Sequence, residues 1–266
     1  MTREDLLNRT RSLKAVPTLS GVVEKVSGLL ADKNSSFDSL SKIMQYDLAL
    51  TSKIIGIANS AWYNRGVGIV TLQRAMTAIG LEEVKRLLTC IMVYEGIFSS
   101  LKLRDEDLAS IWKHSLYVAC ASKMLALRTG KQDPERVFTV ALLHDIGMVP
   151  FFMFDPRYRD IVRVSRLKKQ GLCDMEEDMF GIDHQELGFY ISAEWKLPDE
   201  FRKVIRYHHL AERVDGSAEI TRYVTSADRF SYFPESADDA YLAILFDEKQ
   251  RIEAEVDRIT DILFAA

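Results

Sequence analysis

The sequence predicts an all-α protein built from two helical domains. Apolar residues recur at helical spacing along most of the chain, and no convincing alternating strand pattern interrupts them. Proline, glycine and short polar stretches divide the pattern into many short helices. With 266 residues, 47% of them hydrophobic, the chain is long enough to bury a sizeable core.

The first half of the chain is predicted to form one helical module. The sequence indicates an opening helix from Leu6 that Val16-Pro17 breaks, and a second helix that Ser20 can cap. Further helices are expected at 37–44, 48–58, 71–79 and 82–98.

A polar and charged segment at residues 99–107 is the best candidate for a domain boundary. We therefore expect a module at 1–105, a second helical domain at 106–237 and a tail of one or two surface helices at 238–266. Helices of the second domain are predicted at 108–127, 134–145, 158–169, 175–179, 183–195, 198–209 and 220–232.

Local signals define the ends of two of these helices. Asp133 and Pro134 are typical of an N-cap and a first helical residue, while Gly147 and Pro150 are stop signals. Asp183 with Glu186 predicts a capping box at the start of the helix that carries His184.

Composition excludes several classes of protein. The formal net charge of −4 gives no general attraction to nucleic acid, so nucleic-acid binding is not expected. No apolar run is long enough to span a membrane and the first residues lack a signal-peptide pattern, so we expect a cytoplasmic protein without membrane insertion. The three cysteines lack CxxC spacing, as is typical of reduced thiols.

All five histidines fall in the second domain, and four of them continue apolar helical faces. Val137, Val140, Ala141 and His144 lie at i, i+3, i+4 and i+7, which predicts that His144 points into the core. The same spacing selects three other histidines as inward-facing: His114, His184 and His208.

Two aspartates are expected beside these histidines. Asp145 follows His144 directly, and Asp228 continues the apolar stripe of Ile220 and Val224. A buried carboxylate without a partner costs several kcal/mol, so both need a positive partner.

Imidazoles and carboxylates that converge from successive helices are a common ligand set for zinc, iron, manganese and similar ions. The predicted metal ligands are His114, His144, Asp145, His184, His208 and Asp228, with His209 at the rim as a ligand-contacting group. The alternative for any one histidine is a core residue that makes a single hydrogen bond. No GxSxG, HExxH or phosphate-binding glycine loop points to another chemistry.

These residues resemble a known superfamily. His114, His144-Asp145 and Asp228 are similar to the H…HD…D signature of HD-type metal-dependent phosphohydrolases, and His184 with His208-His209 resembles further elements of its HD-GYP branch. Four segments of the first module are similar to signatures of the HDOD family: residues 16–19, 46–50, 57–63 and 75–81. Three segments of the second domain are similar to it as well: residues 180–184, 195–198 and 205–209.

The resemblance to HDOD proteins implies an all-helical, bacterial, cytoplasmic signalling module, often without hydrolase activity. It also implies a divalent metal such as Fe, Mn, Zn or Mg, a protein partner in a signalling pathway, and a nucleotide or cyclic dinucleotide as candidate ligand. Met148 stands where the HD-GYP branch has a lysine, and only Asp215-Gly216 remains of the motif expected after His209. A cation for a phosphodiester would then come from Lys113, Arg206 or Arg229.

Three hypotheses follow. The first is a regulatory module with a metal- or ligand-binding pocket and little or no catalysis. The second is an active metal-dependent phosphohydrolase acting on a nucleotide or cyclic dinucleotide, in which Asp145 would be catalytic. The third is a metal-free interaction scaffold whose histidines are core residues.

Overall fold

The structure is a computed structural model, and it describes residues 1–11, 20–32, 34–60, 63–64, 66, 68–85, 87–88, 105–168, 171–210, 218–234 and 239–264. Every regular element within these residues is a helix, which confirms the predicted all-α class. The predicted break at Val16-Pro17, most of the boundary segment 99–107 and the motif remnant Asp215-Gly216 lie outside the described residues.

The part of the chain predicted to form the first module, residues 1–105, contains α1 (Arg3–Arg11), α2 (Ser20–Ala31), α3 (Phe37–Met44), α4 (Leu48–Ala58) and α5 (Leu72–Ile79), and residues 81–85 are also helical. Polar side chains begin three of these helices. Ser36, Asp47 and Thr71 each accept a hydrogen bond from a backbone N–H of the first turn, so donors that the helix leaves unpaired are satisfied.

The remaining helices are α6 (Asp105–Thr129), α7 (Pro134–Leu142), α8 (Met148–Phe154), α9 (Tyr158–Lys168), α10 (Leu172–Phe180), α11 (His184–Glu194), α12 (Asp199–Tyr207), α13 (Ala218–Tyr232) and α14 (Ala240–Phe264). The long helix α6 is central, because α7, α13 and α14 all pack against it. Asp133 caps α7 with Pro134 at its start, as the sequence predicts.

Several helix ends differ from the prediction. Helix α7 ends at Leu142 and α12 at Tyr207, so His144 and His208 lie just beyond helices that were expected to include them. Pro150 does not stop a helix but lies in the first turn of α8, where a missing N–H costs nothing.

Two further contacts differ in kind from the prediction. Asp183 accepts from the N–H of Glu186 at 2.6 Å, but the Glu186 carboxylate is bound by Arg3 of α1 instead of completing a capping box. The tail is one long helix, α14, whose Leu245 and Ile252 are buried against the rest of the molecule.

Several contacts join the early helices to the later ones, and a particularly close one lies at the end of α11. A Cβ placed on Gly56 of α4 would lie 2.3 Å from the carbonyl oxygen of Trp195, a distance at which the backbone would have to move. Trp112 of α6 donates its indole N–H to the carbonyl of Tyr46 at 2.6 Å. Glycine at position 56 is therefore required by the close approach of two backbones.

We predict that Gly56→Ala lowers the free energy of unfolding by about 1–3 kcal/mol, because overpacking against a backbone atom cannot be relieved by a side-chain rotation. Gly28→Ala is the matched control. Gly28 also lies inside a helix, but a Cβ added there would meet no atom within 4 Å, so alanine should raise stability by roughly 0.5–1 kcal/mol. Chemical denaturation of both variants measures the difference, and equal effects would contradict the contact.

Candidate metal centre

Five separate helical segments bring histidines and aspartates to one place in the second half of the chain. His114 lies on α6, His144 and Asp145 in the turn after α7, and Asp228 on α13. His184 is the first residue of α11, and His208 directly follows α12. All six predicted ligand side chains lie together: Asp145 contacts the four histidines, and Asp228 contacts His114.

The carboxylate of Asp145 lies between two pairs of imidazoles. Its Oδ2 is 3.3 Å from Nε2 of His114 and 3.4 Å from Nε2 of His144. Its Oδ1 is 3.5 Å from Nε2 of His184 and 3.3 Å from Nε2 of His208. Each carboxylate oxygen thus faces its own pair, and Asp145 is common to both halves.

Asp228 closes the other side of the group. Its Oδ1 lies 3.1 Å from Nε2 of His114, and its Oδ2 lies 3.4 Å from Nδ1 of His209. The side chain of His209 is 34% exposed, whereas those of His144 and His208 are wholly buried. His209 therefore marks the side on which the group approaches solvent.

The outer nitrogens of three rings are held by acceptors. Nδ1 of His144 lies 2.9 Å from the carbonyl oxygen of Ala141, and Nδ1 of His208 lies 2.9 Å from that of Ile205. A carbonyl can only accept, so both rings donate from Nδ1 and keep the Nε2 lone pair for the interior. This orientation is the one in which histidine usually ligates a metal.

The third ring is held by a residue that the sequence did not single out. Nδ1 of His184 lies 2.7 Å from a carboxylate oxygen of Glu176, which has no exposed surface. In the sequence Glu176 begins an acidic run, Glu-Glu-Asp, that is typical of a solvated helix face. The one sequence signal for this contact is that Glu176 lies eight residues before His184, so that the turn between α10 and α11 can bring the two side chains together.

Two glycines allow these segments to approach one another. A Cβ on Gly147 would lie 1.9 Å from the carbonyl oxygen of His184, and a Cβ on Gly188 would lie 2.6 Å from Cγ2 of Ile205. The turn that carries Asp145 therefore packs directly on the backbone of α11. A side chain at Gly147 would separate the turn of Asp145 from α11, and one at Gly188 would displace Ile205 of α12.

The residues fit a divalent cation. Three buried polar atoms that point into the group have no hydrogen-bond partner: Nε2 of His114, Nε2 of His144 and Oδ1 of Asp145. Lone pairs of imidazole and carboxylate face each other there, an arrangement that a cation between them would stabilise. Three overlapping sets among the described residues offer ligand atoms within 4.8 Å of one another: His114 with His144 and Asp145, Asp145 with His184 and His208, and His184 with His209 and Cys173.

Without a cation, protons must carry the compensating charge. Burial alone would lower the pKa of His114, but the adjacent carboxylates of Asp145 and Asp228 outweigh it and raise that pKa to about 9. Burial likewise opposes ionisation of Asp145, yet the surrounding histidines, above all His144, hold its pKa well below the ordinary value. The site thus keeps its carboxylates charged and attracts one positive charge or more.

The three cationic side chains considered for ligand contact lie outside this group. Lys113 and Arg229 are exposed, and Arg206 approaches Asp183 at 3.8 Å. Among the described residues, no ion pair joins any of them to Asp145 or Asp228. Met148, at the position of the lysine in the hydrolytic branch, is 6% exposed and packs in the core.

A cavity of about 270 Å³ lies elsewhere, where α6, α7 and α14 meet the end of α3. Its lining includes Tyr46, Phe138 and Ile252, and none of the histidines or aspartates of the metal centre. The candidate centre is therefore not part of that cavity.

Sequence comparison identifies the family to which these features belong. The model of the HDOD domain matches residues 16–211, about three quarters of the chain. The chain belongs to the HDOD family. The sequence segments that resemble this family, from residues 16–19 to 205–209, all lie within the match, whereas Asp228 lies beyond its end.

Solved structures share the HDOD fold. The MmoQ response regulator from Methylococcus capsulatus is 22% identical, with a TM-score of 0.67, and the match covers 91% of this chain and 96% of that one. An HDOD domain protein from Geobacter sulfurreducens is 25% identical, with a TM-score of 0.54 and coverage of 97% and 98%.

A longer relative comes from Treponema pallidum. It is 20% identical over 198 residues, which are 73% of this chain and 37% of that protein. The HDOD chain thus matches little more than a third of that relative's length. Among the described residues, none of the helices is both long and apolar enough to cross a membrane.

Proposed function

We propose that this HDOD protein is a bacterial, cytoplasmic regulatory module that binds divalent cations and passes its state to a protein partner in a signalling pathway. The observation that carries the proposal is the buried Asp145 carboxylate between two pairs of inward-facing Nε2 atoms. This donor set supports a metal site, because lone pairs that converge without hydrogen bonds require positive charge between them.

In this proposal the six predicted ligands hold one or two cations. His114, His144 and Asp228 would hold one, His184 and His208 would hold another, and Asp145 would serve both. The excess of imidazole favours zinc or iron over manganese and magnesium, which prefer oxygen ligands. When bound, a cation would supply the positive charge that the carboxylates lack.

Helix α11 supports the proposed link to a partner. It begins at His184 in the metal centre and ends beside Trp195, whose carbonyl oxygen lies against Gly56 of the first module. A change in the position of His184 can reach α4 through one rigid helix. The first module, proposed as residues 1–105, would then present the signal, while 106–237 form the HD-like domain and 238–266 an accessory tail.

Four observations support little or no catalysis. Met148 cannot supply a cation for a phosphodiester, and the cationic candidates Lys113 and Arg229 are exposed. The centre is also closed, since five of its six proposed ligands are at most 6% exposed: His144, Asp145, His184, His208 and Asp228. A relative of the same fold is named a response regulator.

A metal-dependent phosphohydrolase that acts on a nucleotide or cyclic dinucleotide is the alternative. The partial exposure of His209, which lies next to Asp228, favours it, because a phosphate could approach the centre from this side. In that case Asp145 would belong to the catalytic group.

We predict that Asp145→Ala abolishes or strongly reduces metal content, because it removes the ligand shared by both halves. In the native protein at 100-fold excess of metal over Kd, binding adds about 2.7 kcal/mol of stability. Strong chelation should therefore lower the melting temperature by several degrees, and the variant should not respond to chelator. Elemental analysis and thermal unfolding measure both effects.

Asp155→Ala is the matched control, because Asp155 is equally buried but pairs with Arg157 and not with a site histidine. It should lose stability without losing metal. Native protein purified without a chelator or affinity tag that shows no bound metal and an unchanged melting temperature on chelation would favour the metal-free scaffold.

We also predict that metal-loaded protein hydrolyses cyclic dinucleotides no faster than its Asp145→Ala variant. The physical reason is that Met148, which takes the position of the lysine in the hydrolytic branch and whose backbone N–H donates to the carbonyl of Asp145, carries no charge for a phosphodiester. Product formation measured by chromatography over a range of zinc, iron and manganese loadings provides the test. Robust native turnover that the variant lacks would establish the enzyme and overturn the regulatory proposal.

The proposed coupling predicts slower amide hydrogen exchange in α4 and at the end of α11 when metal is added to chelated protein. Metal would fix His184, and α11 would transmit this order to the contact between Trp195 and Gly56. The same addition to Asp145→Ala protein should change nothing. If exchange slows only at the metal ligands, metal binding does not alter the first module, and the proposed coupling is wrong.

A further inference from the structure

We propose that Glu176 and Tyr158 form a positioning pair that selects the metal-binding tautomer of His184. This inference rests on the proposed metal centre, and it concerns the half of that centre formed by His184 and His208. Neither Glu176 nor Tyr158 is one of the predicted ligands. Their proposed role is to hold His184 so that its Nε2 faces Asp145.

Glu176 is a wholly buried carboxylate with three donors around it. Its Oε2 accepts from the backbone N–H of His184 at 2.8 Å and lies 2.7 Å from Nδ1 of the same residue. Its Oε1 accepts from the hydroxyl of Tyr158. A buried carboxylate is costly unless it is hydrogen-bonded, and these contacts supply the compensation.

The donors come from different elements, which makes the arrangement specific. Glu176 lies on α10, Tyr158 begins α9 and His184 begins α11. Tyr158 cannot easily turn away, because its ring is fully buried and contacts the rings of Phe151 and Phe152 at centroid distances of 4.8 Å. Its hydroxyl therefore fixes the Glu176 carboxylate from the far side.

The effect on His184 follows from hydrogen-bond chemistry. A carboxylate accepts only, so the ring must carry its proton at Nδ1, and Nε2 is left with a lone pair toward Asp145 at 3.5 Å. The sulfur of Cys173 also lies near Nδ1, but at 4.0 Å it is a much more distant partner than the carboxylate.

Glu176 also makes the two halves of the centre unequal. His144 and His208 donate to neutral backbone carbonyls, whereas His184 donates to an ionised carboxylate, which is a stronger acceptor. An imidazole that donates to a carboxylate is a better metal ligand, and loss of such a partner typically weakens metal binding roughly 10- to 100-fold. We therefore expect that removal of the Glu176 charge weakens the binding of the cation held by His184 and His208, and leaves the affinity of the other site unchanged.

The test is a cobalt(II) titration of full-length Glu176→Gln protein, followed by visible absorption and by elemental analysis. Glutamine keeps the shape, since its oxygen can accept from His184 and its amide group can donate to the oxygen of Tyr158. The native protein should bind two Co²⁺ ions per chain. The variant should bind one with native affinity and the second roughly 10- to 100-fold more weakly, with loss of the corresponding absorption band.

Glu248→Gln is the matched control. Glu248 is also a buried glutamate, but it lies on α14 and pairs with Arg128 and Arg251. It should retain both cobalt sites. Equal loss of cobalt in the two variants would mean that Glu176 acts only through general stability, and two unchanged sites in Glu176→Gln would equally overturn the inference.

Tyr158→Phe provides a second variant in case the substituted glutamate impairs folding. It removes only the hydroxyl that holds Oε1 and should weaken the same cobalt site by a smaller factor, with an unchanged first site. An unchanged second site in this variant would overturn the role of Tyr158. Native protein that binds no cobalt at all would instead refute the proposed metal centre, so the two failures are distinguishable.

Discussion

The contact on which the second half of the molecule depends is the buried carboxylate of Asp145 between two pairs of imidazoles. Four Nε2 atoms lie 3.3–3.5 Å from its two oxygens, and they come from four different helical segments. A charge in this position would be too costly in an apolar core, so the surrounding helices must deliver their histidines accurately. The packing of α6, α7, α11 and α12 is constrained by this requirement.

Small residues make that packing achievable. Gly147 and Gly188 let the turn carrying Asp145 lie on the backbone of α11, and Gly56 lets α4 lie on the other end of the same helix. The backbone of α11 thus lies against Gly147, in the turn that carries Asp145, at one end of the helix. At the other end, the carbonyl of Trp195 lies against Gly56 of α4. Helix α11 is thus one of several connections between the two halves of the HDOD chain.

The sequence predicted the helical class and the inward-facing histidines because both depend on apolar periodicity. It could not predict that α7 and α12 end before His144 and His208, since a residue one turn further along keeps the same phase whether or not the helix continues. Glu176 was missed for a related reason. Its burial depends on Tyr158 and His184 from other helices, and an acidic run alone is typical of a solvated surface.

The early helix ends have a chemical consequence. A helix leaves its last carbonyl groups without intrahelical partners. His144 and His208 each lie within two residues of such an end, and each places Nδ1 2.9 Å from the carbonyl three residues earlier, Ala141 or Ile205. A carbonyl group at the helix end thereby sets the tautomer of each ring, although that of Ala141 also accepts from the backbone N–H of His144 at 3.2 Å. This arrangement occurs twice, since His144 faces Oδ2 of Asp145 and His208 faces Oδ1. His184 instead begins its helix, where the unpaired backbone groups are N–H donors, so a carboxylate from another helix, that of Glu176, must serve as the acceptor for its Nδ1.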